Sequence, residues 1–583
     1  MYGFFYILTL EPYVIVRIEE RLEGVINMKL NGAQIVVECL KEQGVDYLFG
    51  YPGAATINIY DELFKSREHI THILTSHEQG ASHAADGYAR STGKVGVCLA
   101  TSGPGATNLV TGIATAYMDS VPMVAITGNV SIPMLGKDSF QEVDIQGITF
   151  PITKHNYMVK DINILADVIR EAFYIAKSGR PGPVLIDIPK DITSMTTEYT
   201  RKEPKAYDKP DNVHIPEKVV DIINKAKRPM IIAGGGVIRA GASEALMTFV
   251  DKTKSAVANT LMGIGATPYD HPMYTGNIGM HGSLTSNRLI NECDLLMVIG
   301  ARFSDRVVGN EHKFAKEATI MHFDVDPAEI NKNIVVHEHV IGDIETVLTM
   351  LNEVITDKAA PEWVEHVAYM KKEFGHKVNY DTVNVPHMLK RIAAHCKSTD
   401  IVTTDVGQHQ MWTAQHYPFM FPNRFLTSGG LGTMGYGLGA AMGAQFANKK
   451  DRVVMITGDG SFKMNFNEII TAVKHKLPIK IFVMNNNALG MVRQWQNLFY
   501  EDRFSSTDLG EDIEYVGFAK SLGAEGFVID TVDQIDDVIE KAFSSNKVSV
   551  INCRVATESN VYPMVPPGYA IHEAIDQPDQ IEK

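Results

Sequence analysis

Short, almost uninterrupted apolar runs alternate with helical stretches through most of the chain, and this alternation restricts the fold more than any other feature. Examples of the runs are 95–100 (VGVCLA), 122–127 (PMVAIT) and 184–188 (VLIDI). Strands that are apolar on both sides belong to parallel sheets whose two faces are covered by helices. The stretches 81–91 and 164–178 have the helical character that such covers need. We therefore predict α/β domains built on doubly wound parallel sheets.

Polar, proline-containing segments divide this alternation into three α/β units, a number that suits a chain of 583 residues. Residues 1–27 precede the first regular pattern. We expect them to be an extension upstream of the natural start, which mass spectrometry of the native N-terminus would test. The expected divisions of the remainder are a first domain at 28–195, a linker at 196–216, a central domain at 217–355, a helical linker at 356–385, a third domain at 386–557 and an irregular C-terminal arm at 558–583.

Charge and cysteine usage exclude several classes of protein. Acidic residues outnumber basic ones, 69 to 54, and the net charge of −15 gives the chain no general attraction to nucleic acid or to anionic membranes. No run of 18 or more apolar residues occurs, so we expect no membrane span. The five cysteines never form a C-x-x-C pair. That pattern indicates a reducing, cytoplasmic location and argues against disulfides or a zinc knuckle.

The strongest chemical motif lies in the third unit, where two oxygen-bearing side chains follow two neighbouring strands. Asp459 lies between two glycines directly after the run 452–457, and Asn486 follows the run 479–484, 27 residues later. The two runs and the helical stretch 462–474 form one crossover, which brings both strand ends to the same sheet edge. Carboxylate and amide oxygens suit Mg²⁺ that also binds a diphosphate. The alternative, a simple strand-to-helix turn, is favoured for a lone Gly-Asp-Gly but not for this pairing.

A second glycine motif in the same unit offers a competing interpretation. The segment 430–435 (GLGTMG) fits the G-x-G-x-x-G pattern of dinucleotide-binding proteins. The strand before it, 425–428, is weak, and the next strand ends in Gly-Asp-Gly rather than in an acid aimed at a ribose. These features disfavour a nicotinamide-dinucleotide site.

A glutamate begins a helix in the first unit. Glu78 follows the strand-like run 70–74 and precedes the helical stretch, and helix-dipole stabilisation or capping is the simpler explanation when the residue is considered alone. The glycine-rich segment 101–108 (TSGPGATN) lacks the Lys-Ser/Thr of a P-loop, which excludes a nucleotide triphosphatase.

Together these motifs resemble those of thiamine-diphosphate enzymes. The matching segments are 77–90, 101–108 and 458–486. The resemblance implies a Mg²⁺ ion on Asp459, Asn486 and the backbone carbonyl of Ala488. It also implies that Glu78 shares a proton with ring atom N1′ of the cofactor and so promotes the imino form that activates C2. In this superfamily the glutamate and the metal site come from different subunits, so a homodimer is the minimum and a homotetramer is compatible.

The resemblance extends to further contacts with thiamine diphosphate. Met434 is expected beneath the cofactor, although a core gap-filler is the simpler role for a methionine. The other residues implied to contact the cofactor are Gln408, His409, Gly432, Gly460 and Ser461.

From Met28 to about Glu573 the chain is similar to the large catalytic subunits of acetolactate (acetohydroxyacid) synthases. The segments that distinguish this family are 136–142, 180–190, 301–307, 491–495 and 564–568. They imply Gln141 near the thiazolium ring with Phe140 lining the channel, and Lys190 assisting. Arg306 would bind the acceptor carboxylate and Trp495 would cover its alkyl tail. Without the resemblance, a structural salt bridge to Asp305 or Glu311 is the favoured role of Arg306.

The central unit matches the family's FAD domain, in which FAD is bound without net redox chemistry. The triple glycine 234–236 is weak evidence alone, because turns use glycine freely. The chain departs from the family at 131–133 (SIP), and Ala488 stands where some relatives have His. The residues implied to contact FAD are Arg180, Gly235, Thr260, Leu261, Met280, His281, Arg302, Asp324 and Asp343.

The implied activity is the decarboxylating condensation of two 2-keto acids. Two pyruvates give 2-acetolactate, and pyruvate with 2-ketobutyrate gives 2-aceto-2-hydroxybutyrate, the first common step of valine, leucine and isoleucine biosynthesis. The implied partners are the small keto acids and a small regulatory subunit. The alternatives are pyruvate oxidase, the FAD-free catabolic acetolactate synthase, and a non-catalytic homologue.

Overall fold

A computed structural model describes residues 27–206, 213–510, 513–577 and 580. It contains three six-stranded sheets, each all-parallel and flanked by helices, that follow one another along the chain. The predicted fold class is therefore confirmed. The expected N-terminal extension, apart from Asn27, lies outside the described residues.

The first domain is built on a parallel sheet and begins and ends with a small antiparallel pair. Its strands are β1 (Asn27–Asn31), β2 (Tyr47–Tyr51), β3 (Thr71–Leu74), β4 (Gly96–Ala100), β5 (Met123–Asn129), β6 (His155–Met158), β7 (Pro183–Pro189) and β8 (Thr196–Thr200). The sheet order is β3-β2-β4-β5-β7-β6, and β1 pairs with β8. Its helices are α1 (Gly32–Glu42), α2 (Ile57–Lys65), α3 (Glu78–Thr92), α4 (Pro104–Asn108), α5 (Val110–Met118), α6 (Ile145–Thr149) and α7 (Leu165–Lys177), with 3₁₀ turns at Ile132–Met134, Phe150–Ile152 and Ile162–Ile164.

Strand β8 corrects the expected linker at 196–216. The first five residues of that segment are a strand because they pair with β1, and Tyr199 is buried with its hydroxyl donating to Glu42. The polar side chains of the other residues hid this strand from a local pattern.

The central domain has the strand order β11-β10-β9-β12-β13-β14. The strands are β9 (Pro229–Ala233), β10 (Ala256–Asn259), β11 (Tyr274–Asn277), β12 (Leu295–Ile299), β13 (Thr319–Asp324) and β14 (Glu338–Ile341). The helices are α8 (Glu217–Lys225), α9 (Gly235–Arg239), α10 (Ser243–Thr253), α11 (Leu284–Glu292), α12 (Asp305–Val308) and α13 (Ile344–Val354), with 3₁₀ turns at Leu261–Gly263, Glu311–Lys313 and Pro327–Glu329. The strand order reverses between β9 and β12, which is where open α/β sheets form a ligand crevice.

Helix α14 (Pro361–Glu373) occupies the second linker, and the third domain follows. The sheet order is β16-β15-β17-β18-β20-β19, in which the strands are β15 (Ile401–Thr404), β16 (Phe425–Leu426), β17 (Val453–Gly458), β18 (Lys480–Asn485), β19 (Glu525–Ile529) and β20 (Ser549–Arg554). The helices are α15 (Val385–His395), α16 (Gln408–His416), α17 (Tyr436–Ala447), α18 (Asp459–Asn465), α19 (Ile469–Lys474), α20 (Gly490–Phe499), α21 (Tyr515–Ser521) and α22 (Ile535–Ser544), with 3₁₀ turns at Phe466–Glu468 and Val532–Gln534. The helix expected at 462–474 is thus divided by a 3₁₀ turn.

The apolar runs become strands buried on both faces. In β4, Val97 and Leu99 join one hydrophobic cluster, whereas Cys98 and Ala100 join the cluster on the other face. The second of these clusters continues into the third domain, because α3 packs against α17. A Cβ on Gly443 would lie 1.9 Å from the carbonyl oxygen of Ala84, so only glycine permits this close contact.

The described part of the C-terminal segment contains a 3₁₀ turn at Ile571–Glu573 and packs on the central domain. The Val565 amide donates to the carbonyl of Met280 at 2.8 Å. All five cysteines are free. Among the described helices, none combines the length and apolar character that a bilayer crossing needs.

Candidate active site

The two residues of the strongest motif lie at the same edge of the third sheet. Gly458 at the end of β17 pairs with Met484 of β18, so the two strands end almost level. Asp459 begins α18, and Asn486 is the first residue after β18. The expected juxtaposition follows from this register.

Asp459 is a buried acid with one unpaired oxygen. The residue is 2% exposed, and its Oδ2 has no hydrogen-bond partner among the described residues. Burial raises the pKa of its carboxyl to about 6. A buried carboxylate oxygen without a donor is costly unless a cation or a proton occupies it.

The loop after β18 is held firmly around Asn486. Its side-chain oxygen accepts from the Ala488 amide at 3.2 Å, its amide nitrogen lies 3.4 Å from Gln408 Oε1, and its carbonyl accepts from Thr557. Asn487, which follows it, has a φ of +54°, in the left-handed region that asparagine tolerates better than most residues. The position of Asn486 is therefore fixed by contacts from three directions.

This donor set fits Mg²⁺ bound together with a diphosphate. No group of three or more His, Cys, Asp or Glu that could hold a metal occurs in the described part of the chain. The ligands that the sequence predicts for this edge are one carboxylate, one amide oxygen and the carbonyl of Ala488. These are hard oxygens with a single negative charge, so a bound Mg²⁺ needs anionic oxygens from its ligand.

Two glycines at this edge have no room for a side chain, so only their backbone lies there. A Cβ on Gly490 would lie 2.0 Å from Gln408 Oε1, and one on Gly458 would lie 2.9 Å from His409 Nδ1. Burial lowers the pKa of His409 to about 3, so its ring is neutral. Ser461 donates to the carbonyl of Val406 at 2.9 Å. A Cβ on Gly460 would lie 4.0 Å from the terminal methyl of Met434, so the two residues are close neighbours.

A cavity of 930 Å³ reaches from Val406, just after β15, to the switch point of the central sheet, and Asp459 and Asn486 are not among its lining residues. Its volume is at the upper end of the range of about 300–1,000 Å³ that is common for ligand pockets. The predicted residues that line it are Arg180, Gly235, Thr260, Leu261, Met280, His281, Arg302, Arg306, Asp324, Asp343, Gly432 and Trp495. One cavity thus unites the residues expected to contact FAD with those expected to contact the acceptor.

The central part of the cavity fits a dinucleotide. A Cβ on Gly234 would lie 2.2 Å from the Gly300 carbonyl and 2.5 Å from Ala301 Cβ, so the loops after β9 and β12 approach too closely for any residue but glycine at 234. Asp324 ends β13, and Asp343 caps α13 through the Thr346 amide. Arg180 is paired with Glu329 at 2.9 Å.

Sequence reasoning missed Arg239, which ends α9 and lines the same cavity. Burial lowers the pKa of its guanidinium to about 10. Arg239 lies three residues beyond the glycine turn 234–236, and nothing else in the local sequence marks it.

Arg306 and Trp495 also line this cavity, where they are available to a ligand. The Arg306 side chain is 66% exposed, and its nearest carboxylate oxygen, on Asp305, is 3.7 Å away. An ion pair this long and exposed contributes little, so the structural salt bridge expected as the alternative is weak. Trp495 lies on α20 beside Phe499, with 5.2 Å between ring centroids.

Glu78, Gln141 and Lys190 lie on the first domain and are not among the residues that line the cavity. Glu78 begins α3 and accepts from Asn108 at 2.9 Å. Gln141, with a φ of +59°, packs against Gly103 in the same region, and Lys190 is exposed.

The capping role considered for Glu78 is filled by other residues. The ring nitrogen Nδ1 of His77 accepts from the Gln79 amide, and the buried carboxylate of Glu468 accepts from the amides of Ser76 and His77. The carboxylate of Glu78 is therefore not needed to cap its own helix.

Models of the thiamine pyrophosphate enzyme family match three parts of the chain. The N-terminal TPP binding domain matches residues 30–148, the central domain residues 216–351, and the C-terminal TPP binding domain residues 405–553. The fold and the site therefore define a thiamine pyrophosphate enzyme.

Comparison with curated relatives identifies the family within this class of enzymes. The large subunit of acetolactate synthase isozyme 2 from Escherichia coli (strain K12) is 44% identical over 94% of this chain and all of the relative. The acetolactate synthase large subunit from Parasynechococcus marenigrum is 43% identical over 95% of this chain and 92% of the relative, and that from Haemophilus influenzae is 41% identical over 94% and 98%. The chain belongs to the acetolactate synthase large-subunit family, and the resemblance found in the sequence is confirmed.

Proposed function

We propose that this chain is a catalytic subunit that condenses two 2-keto acids with loss of CO₂. Two pyruvates give 2-acetolactate, and pyruvate with 2-ketobutyrate gives 2-aceto-2-hydroxybutyrate. The observation that carries the proposal is the unpaired buried carboxylate of Asp459 beside Asn486, next to a cavity lined by Arg306 and Trp495. In this proposal the first pair would hold a metal diphosphate and the second pair would hold a keto acid.

Asp459, Asn486 and the carbonyl of Ala488 would hold Mg²⁺, and Gly460 and Ser461 would lie against the diphosphate. The remaining proposed contacts to thiamine diphosphate are Gln408, His409, Gly432 and Met434. When bound, thiamine diphosphate supplies a weakly acidic carbon that adds to a keto group and holds the electron pair released with CO₂. The chain must therefore orient this cofactor, exclude water and manage one proton.

Glu78 would manage that proton by sharing it with ring atom N1′ of the cofactor. Because the resemblance to thiamine-diphosphate enzymes implies that this glutamate and the metal site come from different subunits, the proposed site is completed by Glu78 of the partner subunit. Phe140, which precedes Gln141 in the same domain, is 86% exposed, and this exposure supports a partner subunit that covers it. A homodimer is therefore the proposed minimum, and a homotetramer contains two such dimers.

Arg306 would bind the carboxylate of the acceptor keto acid through two parallel hydrogen bonds, because its guanidinium is exposed at the cavity. Trp495 would cover the alkyl tail, so that it senses whether the acceptor is pyruvate or 2-ketobutyrate. Gln141 and Lys190 would assist from the partner's first domain.

We propose FAD in the central part of the cavity, where it would stabilise the fold without net redox chemistry. The residues proposed to contact FAD are Arg180, Gly235, Thr260, Leu261, Met280, His281, Arg302, Asp324 and Asp343. A small regulatory subunit is a further proposed partner, since the relatives are themselves named large subunits. Five unpaired thiols support a reducing, cytoplasmic location.

The test is a product analysis with purified protein, Mg²⁺, thiamine diphosphate and pyruvate. Equal amounts of acetolactate and CO₂ are expected. Peroxide would instead identify an oxidase, acetaldehyde a simple decarboxylase, and no product with no cofactor binding a non-catalytic homologue.

A further inference from the structure

The segment 427–435 carries two of the residues proposed to contact thiamine diphosphate, Gly432 and Met434. It connects β16 to α17 and has little regular structure of its own. Gly432 has a φ of +68° and Gly435 a φ of +86°, conformations that glycine adopts easily. Something outside the segment must therefore hold it in one place.

Asp119 of the first domain supplies the most direct contacts to this segment. Its Oδ1 accepts from the Gly430 amide at 2.7 Å, and its Oδ2 accepts from the Gly429 amide at 3.0 Å. The Asp119 side chain is completely buried and borders the large cavity. One carboxylate thus binds two successive amides of the segment.

Arg90, near the end of α3, completes a buried charged cluster around the segment. Its Nη2 donates to Asp119 Oδ2 at 2.9 Å, and its Nη1 donates to the Thr427 carbonyl at 2.9 Å. Arg90 also pairs with Asp86, which accepts from the Tyr436 hydroxyl at 2.6 Å. Thr427 at one end of the segment, and Tyr436 just beyond its other end, are therefore each bound by a member of this one charged cluster.

Two further contacts leave the segment little freedom. The hydroxyls of Thr115 and Thr433 are 2.7 Å apart. A Cβ on Gly430 would lie 2.9 Å from the Met118 side chain and 3.0 Å from Asp119 Oδ1. Because breaking a buried ion pair leaves an uncompensated charge, displacement of the segment is strongly opposed.

We propose that Asp119, held by Arg90, is a positioning residue that sets the place of segment 427–435 against thiamine diphosphate. The proposal rests on the proposed function, since it needs that cofactor to bind there. In this proposal, one buried carboxylate of the first domain determines where a segment of the third domain contacts the cofactor.

Asp119→Asn tests this role, because an asparagine keeps the shape but offers only one acceptor oxygen. One donor, on Gly429, Gly430 or Arg90, then faces an amide nitrogen. The dissociation constant for thiamine diphosphate, measured calorimetrically on the cofactor-free protein with Mg²⁺, should rise about tenfold or more, as expected for an unpaired buried donor. At saturating cofactor, KM for pyruvate should stay within about twofold, because the acceptor contacts are intact.

The matched control is Glu42→Gln, which weakens another buried ion pair of the first domain, with Arg170. Its cofactor dissociation constant should equal that of the wild type even if its thermal midpoint falls. An unchanged constant in Asp119→Asn, or an equal rise in Glu42→Gln, would overturn the proposal.

If Asp119→Asn does not fold, Gly430→Ala takes its place, since the added methyl presses on Asp119 without removing its charge. The same rise in the dissociation constant is expected, and no rise overturns the proposal. Wild-type protein that binds no thiamine diphosphate would instead overturn the proposed function, so the two failures are distinguishable.

Discussion

Asp459 shows how a single residue can serve function at the expense of stability. Its pKa is raised from 3.8 to about 6 by burial, and its Oδ2 is unpaired. A raised folded-state pKa means that the stabilising contribution of the protonated acid is present below pH ~4 and is lost as the pH rises through about 6. At neutral pH the metal-free protein therefore holds a destabilising charge.

We accordingly expect Asp459→Asn to stabilise the metal-free protein at pH 7.5 by roughly 1–3 kcal/mol while abolishing Mg²⁺-dependent cofactor binding. Urea unfolding with EDTA measures the first effect and calorimetry the second. Lower stability of the variant at pH 7.5, or unchanged cofactor binding, would contradict the role assigned to Asp459.

Glu78 is predicted to act on the cofactor's proton and not on the metal. Glu78→Gln should lower turnover by about 100-fold or more, because general acid–base steps contribute at that level, with Mg²⁺ binding nearly unchanged. Steady-state kinetics with pyruvate measures this effect. The control Glu68→Gln changes an exposed acid of the same domain and should leave turnover intact. Full activity in Glu78→Gln would refute the assignment.

Trp495 is predicted to set the choice of acceptor. Trp495→Leu should shift the ratio of the two products toward acetolactate by about 10-fold or more, since one methylene is worth about 1–3 kcal/mol. Competition between pyruvate and 2-ketobutyrate, followed by product analysis, measures the ratio. A ratio equal to that of the wild type would show that the indole does not touch the alkyl tail.

At the scale of elements, buried strands were easy to predict and polar strands were not. The apolar run 295–299 became β12, and 452–457 became β17 shifted by one residue, because strands covered on both faces must be apolar throughout. Strand β8 was missed because only Tyr199 is fully buried and its pairing with β1 spans the whole first domain. Long-range pairing leaves no local pattern.

The contact between α3 and α17 gives a prediction at this scale. Gly443→Ala should destabilise the protein by about 1–3 kcal/mol, because its Cβ would meet helix backbone at 1.9 Å and packed helices cannot separate freely. Urea unfolding measures the change. The control Gly147→Ala, whose Cβ would meet only the end of the Asp144 side chain, should cost much less. Equal costs would mean that the two helices separate without strain.

At the scale of the whole molecule, the sequence predicted only those site contacts that lie within a single βαβ unit. The neighbourhood of Asp459 and Asn486 follows from the handedness of a single βαβ unit. Asp119, Arg239 and Glu468 were not predictable, because their contacts depend on how separate domains pack. The same limit applies to Glu78, whose proposed place depends on a second copy of the chain.

That two-chain site is the central claim, and subunit complementation tests it most directly. Glu78→Gln and Asp459→Asn subunits should each be nearly inactive alone. When they are co-expressed, half of randomly paired dimers are hybrids with one intact site, so about a quarter of wild-type activity should return. A co-expressed mixture that stays as inactive as the separate variants would contradict a site shared between two chains.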